Sequence, residues 1–276
     1  MTQAAATSAS FRSPPLGSIA RATGLVGLGV FVLLIALSDV IARAPVGKEY
    51  HALAGQAPSA VFIFGTDALG HDLFSETIHA IAVSVPAAVA AAFVAIVLGA
   101  VAGFAAVRLP MRLGQPARGV VGVIGAVPAL LLAIVLALLL SRNGIVFAAG
   151  LAAAPAAFMR SFDRAEAFAD SRHAEFARAT GIPATTLLRR DLVYEIRAHL
   201  ISVACRSLAL ATMLLATLSF VGFGEMTHTR DLGRMIADAR PMYLVEWWSL
   251  VFPVLALMVF ILFARMAAFL DEGEAP

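Results

Sequence analysis

The sequence predicts an all-α polytopic membrane protein with about six transmembrane helices and both termini on the cytoplasmic side. Three observations carry that expectation. Of the 276 residues, 61% are hydrophobic and only 14% are charged, where soluble domains hold roughly 45–50% and about 25%. The apolar excess lies in long blocks rather than being spread through a core. Basic residues are also divided unequally between the segments that join those blocks.

A hydrocarbon layer of roughly 30 Å takes about 20 helical residues to cross. Six segments approach that length: 23–42, 84–107, 118–140, 145–160, 199–221 and 248–269. The fourth is short, alanine-rich and interrupted by Pro155. Its small residues Ala149, Gly150, Ala153 and Ala157 suit close backbone approach to neighbouring helices. With the N-terminus inside, the inner segments hold twelve arginines and the outer ones six basic residues, the bias that sets orientation.

The chain therefore divides into four parts. Residues 1–22 are a disordered cytoplasmic tail rich in Ser, Ala and Pro. Residues 23–42 are the first span, 43–83 an outer segment, and 84–270 a core of five spans with a long cytoplasmic loop at 160–198. Arg12, Arg21, the stretch from Leu25 to Leu37 and Ala42-Arg43-Ala44 imitate a cleavable signal. The apolar block is long enough to act as an anchor instead.

Several classes of function are excluded or disfavoured. Lys48, the only lysine, stands between Gly47 and Glu49, so no GxxxxGK[ST] phosphate loop exists here. Any ATP that drives this protein binds to another subunit. Cys205 is the only cysteine, which excludes an internal disulfide and a zinc ribbon; it reads as a small packing residue. A net charge of +2 without a basic patch gives no reason to expect nucleic acid. The six histidines form no HExxH, and no GxSxG occurs, so no catalytic residue is nominated. An ion-coupled secondary transporter of small solutes is the alternative, but such carriers bury titratable groups near the midplane. No acid falls deep in any expected span.

Charge is concentrated at 160–198, where seven arginines and six acids hold about a third of the formal charge in about one seventh of the chain. Phe162, Ala165, Phe168, Ala169 and Phe176 recur at helical spacing. Thr180-Gly181-Ile182-Pro183 then supplies a helix stop and a helix start. Two short helices with a fixed bend are expected, held against the cytoplasmic face of the membrane; a solvated amphipathic loop with no partner is the other reading.

Three motifs give this pattern a resemblance. Glu175-Phe-Ala-Arg-Ala-Thr-Gly181 and the following Ile182 to Glu195 resemble the EAA loop of ABC importer permeases. Phe64-Gly-Thr-Asp-Ala-Leu-Gly-His-Asp-Leu-Phe-Ser75 is similar to the GTDxxGRDxxS signature of dipeptide, oligopeptide and nickel permeases. Leu218-Ser-Phe-Val-Gly-Phe-Gly224 and Asp231 to Arg240 are similar to that family's LSFLGLG and WGxMLxEAR block. The matches come in family order and cover about residues 24 to 271.

The resemblance implies a type I ABC importer permease fold in the bacterial cytoplasmic (inner) membrane. It implies a second permease subunit in a heteromeric pair, two ABC ATPase subunits that bind ATP and Mg, and an extracytoplasmic substrate-binding protein. The cargo would be peptides or a related small solute such as a nickel complex, and lipid is the remaining partner. Glu175, Ala177, Ala179, Gly181, Arg189 and Arg190 would then couple to the ATPase. A carboxylate suits a charge-assisted contact, alanines keep the docking helix thin, and Arg189 and Arg190 could face ATPase acids or lipid headgroups. Phe176 replaces a usual alanine, and Tyr194 stands where a proline is expected.

Gly65, Thr66, Asp67, Gly70 and Asp72 form the outer motif, with Asp67 placed to cap a helix beginning near Ala68. The motif reads either as a turn and cap or as a contact surface for the binding protein or partner permease. His71 stands where the family has arginine; with His79 it lacks a sensibly spaced third ligand, so no metal site is expected. The fifth span is the pore liner by resemblance, with Arg206, Met213, Thr217, Ser219 and Phe220 as candidates. Arg206 either snorkels to headgroups or faces the path or an acid of the partner.

Overall fold

The computed structural model describes residues 16–140, 144–169, 171, 175, 184–223 and 230–269. Those residues are almost entirely helical, and two isolated bridges are the only β pairings among them. Helix α1 spans Leu16–Ala36 and α2 spans Ser38–Ile41. Helix α3 (Leu73–Ala95) continues through a π turn (Ile96–Ala100) into α4 (Val101–Ala106). Then follow α5 (Met111–Ala126), α6 (Ala129–Leu140) and α7 (Ile145–Ala169). Helices α8 (Ala184–Val221), α9 (Leu232–Ala239) and α10 (Trp247–Ala267) complete the order. Among the described residues, five helical stretches are long and apolar enough to cross a membrane, or six if the bent α5–α6 pair counts as one span.

Five of the six expected spans are present as apolar helices, the third is a bent pair, and four of the six have other limits. The first helix starts at Leu16 inside the expected tail and stops at Ala36, where Ser38 and Asp39 follow. The second starts at Leu73 rather than 84, because Ser75, Glu76, Thr77 and His79 are polar in sequence yet buried in the fold. The third is not one rod. Pro128 disfavours helical backbone at the residue before it, Val127 is extended (ψ 131), and α5 meets α6 at 90°. The fourth reaches Ala169, so the first ten positions of the expected 160–198 loop prolong a span.

The 160–198 segment was expected to hold two short helices. Its second helix is instead the first part of α8, which runs 38 residues without a break into the fifth span. The bend expected at 180–183 lies outside the described residues. The outer stretch between the last two spans, expected as a loop, contains α9.

Small residues dominate the centre. Ala88, Ala91, Ala92 and Ala95 of α3 meet Ala148, Ala149, Ala152 and Ala153 of α7, with Ala211 and Leu218 of α8 beside them. Glycines bring α3–α4 and α7 closer still: a Cβ on Gly99 would stand 2.3 Å from the Ala154 carbonyl oxygen, and one on Gly103 2.5 Å from that of Phe158. Where lipid is as apolar as leucine, such backbone contact replaces the hydrophobic drive. A second core joins α1 to α10 through Phe31 and Phe260, whose rings meet edge to face at 4.9 Å, and reaches Leu232, Met235 and Trp248 on the outer side. Val26 and Val32 of α1, Leu138 and Leu139 of α6 and Met258 and Leu262 of α10 are exposed, as lipid-facing side chains are.

Candidate functional site

The outer motif folds into a polar knot over the end of α3. Gly65 (φ 77) and Gly70 (φ 87) supply left-handed turns that other residues rarely adopt. Between them Thr66 is fully buried; its hydroxyl donates to the Leu53 carbonyl (2.5 Å) and accepts from the Gln56 N–H (2.9 Å). The Trp248 indole N–H donates to the Thr66 carbonyl at 3.0 Å, fixing the motif to the start of α10.

Asp67 does not cap a helix. Its Oδ1 accepts the backbone N–H groups of Leu69 (3.0 Å) and His71 (2.8 Å), closing a turn. Asp72 is the cap, accepting from the Phe74 N–H at 3.3 Å as α3 begins at Leu73. Ser75 donates to Asp72 at 2.5 Å and accepts from the Arg43 and Ala44 N–H groups. Glu76 accepts the Gly47 N–H at 2.9 Å. The sequence therefore places the capping aspartate five residues early, because either one precedes an apolar run.

The knot closes on a residue that sequence reasoning did not assign to it. Arg230 Nη1 lies 3.3 Å from Asp67 Oδ2, while its Nε and Nη1 stand 3.9 Å from Glu76 and Asp238. His71 Nδ1 sits 2.8 Å from both Asp67 Oδ2 and Arg230 Nη2. Burial alone would raise the Asp67 carboxyl. The hydrogen bonds from His71 and the charges of His71 and Arg230 outweigh it and hold the group below the usual carboxylate value. His79, the other histidine weighed as a ligand, lies 3.3 Å from the Ala44 carbonyl.

Asp231 caps α9, accepting the Arg234 N–H at 3.1 Å, and receives the Ser219 hydroxyl at 2.5 Å. That contact removes Ser219 from the pore-lining set: it is buried within the subunit, turned to α9. Arg206, Met213, Thr217 and Phe220 do share a face, lying within about 60° of one another on α8 at 100° per residue. Met213 is exposed, Thr217 donates to the Met213 carbonyl (2.7 Å), and Phe220 carries the Arg240 guanidinium 5.6 Å from its ring centre. Arg206 Nε donates to Ser202 Oγ at 3.3 Å, and Ser202 donates to the Ala268 carbonyl beyond α10.

Of the coupling candidates, Glu175 is exposed and its N–H donates to the Ser171 carbonyl at 3.1 Å. Ala177, Ala179 and Gly181 lie outside the described residues. Arg189 and Arg190 belong to the first turns of α8. Asp163 and Glu166 of the same charged segment are engaged within the chain: Arg118 of α5 meets Asp163 at 2.8 Å and Glu166 at 3.6 Å.

This architecture, a bundle of apolar helices with a polar knot at one end and one 38-residue helix, is that of a multi-pass membrane protein. The family described as "Binding-protein-dependent transport system inner membrane component" matches residues 95–271, more than half of the chain. The chain belongs to that family, whose domain is that of the type I importer permeases, and is an inner-membrane protein.

Its relatives are named as permease proteins of transport systems. A peptide transport system permease protein of Brucella suis is 27% identical over 86% of this chain and 80% of its own length. The di/tripeptide transport system permease DppC of Pseudomonas aeruginosa is 27% identical, with 89% and 85% covered. The peptide transport system permease SapC of Escherichia coli is 26% identical, with 74% and 70% covered.

Proposed function

We propose that this chain is a pore-forming permease subunit of an ATP-driven importer, with peptides or a chemically related small solute, including a nickel complex, as cargo. The relatives' names support the peptide reading. Two permease subunits, this one and a different partner, surround the pathway. Two ABC ATPases bind ATP and Mg on the inner side, and an extracytoplasmic binding protein delivers the solute. The arginine bias puts both termini and the 160–198 segment inside.

The single observation that carries the reading is the continuity of α8 from Ala184 to Val221. One helix joins the end that bears Arg189 and Arg190 to the stripe of Arg206, Met213, Thr217 and Phe220. Glu175, Ala177, Ala179 and Gly181 precede that helix in the sequence and are the residues that an ATPase groove would take. Closure of ATP-bound subunits then favours one of two exposures of the stripe, and this difference in free energy between states is all that pumping requires.

The test is reconstitution with the cognate ATPases. Glu175→Ala and Gly181→Pro are expected to lose ATPase association or to leave hydrolysis uncoupled from uptake. Unchanged coupling in both removes the docking role. Uptake sustained by an ion gradient without an ATPase replaces this reading with a secondary carrier.

A further inference from the structure

Two buried polar atoms find no partner among the described residues, Ser161 Oγ and His199 Nε2. Both lie toward the inner side of the bundle. Ala157 of α7 and Val203 of α8 share a small core with Ala100, and the two helices run in opposite directions. Ser161 follows Ala157 by one turn, and His199 precedes Val203 by one turn. The two orphans therefore fall at one level, on the cytoplasmic side of that contact. Ser161 is fully buried and His199 is 9% exposed, with the Phe104 ring edge to face at 5.9 Å. A buried polar group left unpaired in a native fold calls for a water, an ion or a ligand group.

The surrounding charge selects the sign. The charges of Arg160, Arg164 and Arg206 bear on His199, and those of Arg206 and Arg265 bear on Arg160. Arg160, Arg206 and Arg265 have no ion pair among the described residues. The acids that follow Arg160 on α7, Asp163 and Glu166, meet Arg118 of α5 instead. Arg206 donates to Ser202, which donates to the Ala268 carbonyl where α10 ends, so α8 and α10 are tied at this level. Three neighbouring guanidiniums without a carboxylate repel one another and favour an anion among them.

Arg265 points to the source of that anion. It is exposed, and it lies within about 60° of Met258 and Leu262 on α10 at 100° per residue. Those two are exposed and apolar, so the arginine ends a lipid-facing stripe at headgroup level.

We propose that the inner ends of α7, α8 and α10 form a site for one anionic phospholipid of the inner leaflet, its phosphate received by Arg160 and Arg265 and by the His199 Nε2–H. The proposal takes from the importer reading only the side of the membrane on which these ends lie. Basic pockets between spans on the cytoplasmic side suit anionic headgroups. Each guanidinium gains a charge-assisted hydrogen bond, Arg206 adds positive charge, and His199, with its proton on Nε2, gains the acceptor that the fold does not supply.

The purified full-length chain in an uncharged detergent is titrated with dioctanoyl phosphatidylglycerol, and its unfolding midpoint is read against dioctanoyl phosphatidylcholine. A saturable rise is expected with the anionic lipid and little with the zwitterionic one. Half-saturation should weaken about tenfold in Arg160→Gln, the scale of one charge-assisted hydrogen bond. It should weaken also in Arg265→Gln, an exposed position where folding is undisturbed, and stay unchanged in Arg112→Gln, an exposed arginine of α5. Equal rises with both lipids, a rise that does not saturate, or equal weakening in all three variants overturns the proposal.

Two further arms test the occupant. Glycerol 3-phosphate producing the same rise at the same concentrations assigns the site to a free phosphate and overturns the lipid reading. Release of the bound lipid on adding the second permease subunit assigns the arginines to a carboxylate of that subunit, with the same consequence. The lipid titration involves neither ATPase nor uptake, so failure of the importer reading and failure of the site are separable.

Discussion

Arg230 and Asp67 are 163 positions apart in the chain and 3.3 Å apart in the fold. Their contact joins the turn before the second span to the segment before α9, and both side chains are largely buried, at 22% and 14% exposed. Removing one partner leaves the other charge short of compensation, which costs more than the intact pair contributes. Arg230→Gln is therefore expected to lower stability by about 2 kcal/mol. A double-mutant cycle with Asp67→Asn, read by detergent-phase unfolding, checks it; additive single effects would mean that the pair is not coupled.

The same carboxylate gives the outer knot a pH dependence. Because the folded Asp67 value lies below that of the unfolded chain, its contribution is fully present above about pH 4. It is lost as pH falls through the folded value. The difference in unfolding midpoint between wild type and Asp67→Asn should be constant from pH 5 to 6 and shrink below about pH 4. A difference that grows on acidification would contradict this assignment.

Gly99 is the tightest point between the second and fourth spans. An added methyl group meets backbone at 2.3 Å rather than a flexible side chain, so the helices themselves must separate. Gly99→Ala is expected to destabilise the bundle by about 1–3 kcal/mol. The measurement is the denaturant midpoint beside that of Gly29→Ala, where an added Cβ meets nothing within 4 Å and the change should be small.

The α8 stripe can be mapped with thiols. Cys205 is the only native cysteine and it is buried, so single cysteines at other positions report with little background. Cysteine replacing Met213, Thr217 or Phe220 should react with a water-borne maleimide during turnover, while one replacing the buried Ser219 should react far more slowly. Equal rates at all four positions would show that the stripe does not face an aqueous path.

Much of this fold is legible in the sequence because apolar blocks are blunt signals. Their limits are not, for reasons that can be named. Ser75, Glu76, Thr77 and His79 hide the first turns of α3 from any hydropathy argument, since Ser75, Glu76 and His79 meet partners in residues 43–47 only once these pack above them, while Thr77 donates to the Leu73 carbonyl of its own helix. Continuity through the third span looks sound until Pro128 imposes its restriction on Val127. At the site, the GTD-type motif names five residues that do gather, but spacing cannot show that Arg230 completes them. Asp231 carries the local signal of a helix cap, three residues before the N–H that it accepts. Ser219 reads as one more polar residue of a pore helix because nothing in the sequence says that Asp231 lies beside it.

The right-angled elbow between α5 and α6 brings an obligation of its own. Pro128 has no N–H, and the last carbonyls of α5 lose the donors that a continuing helix would supply. Hydrocarbon offers no substitutes, at a cost of several kcal/mol for each orphan oxygen. The elbow therefore belongs where water, a polar group or a partner chain can reach those carbonyls, and not in open hydrocarbon.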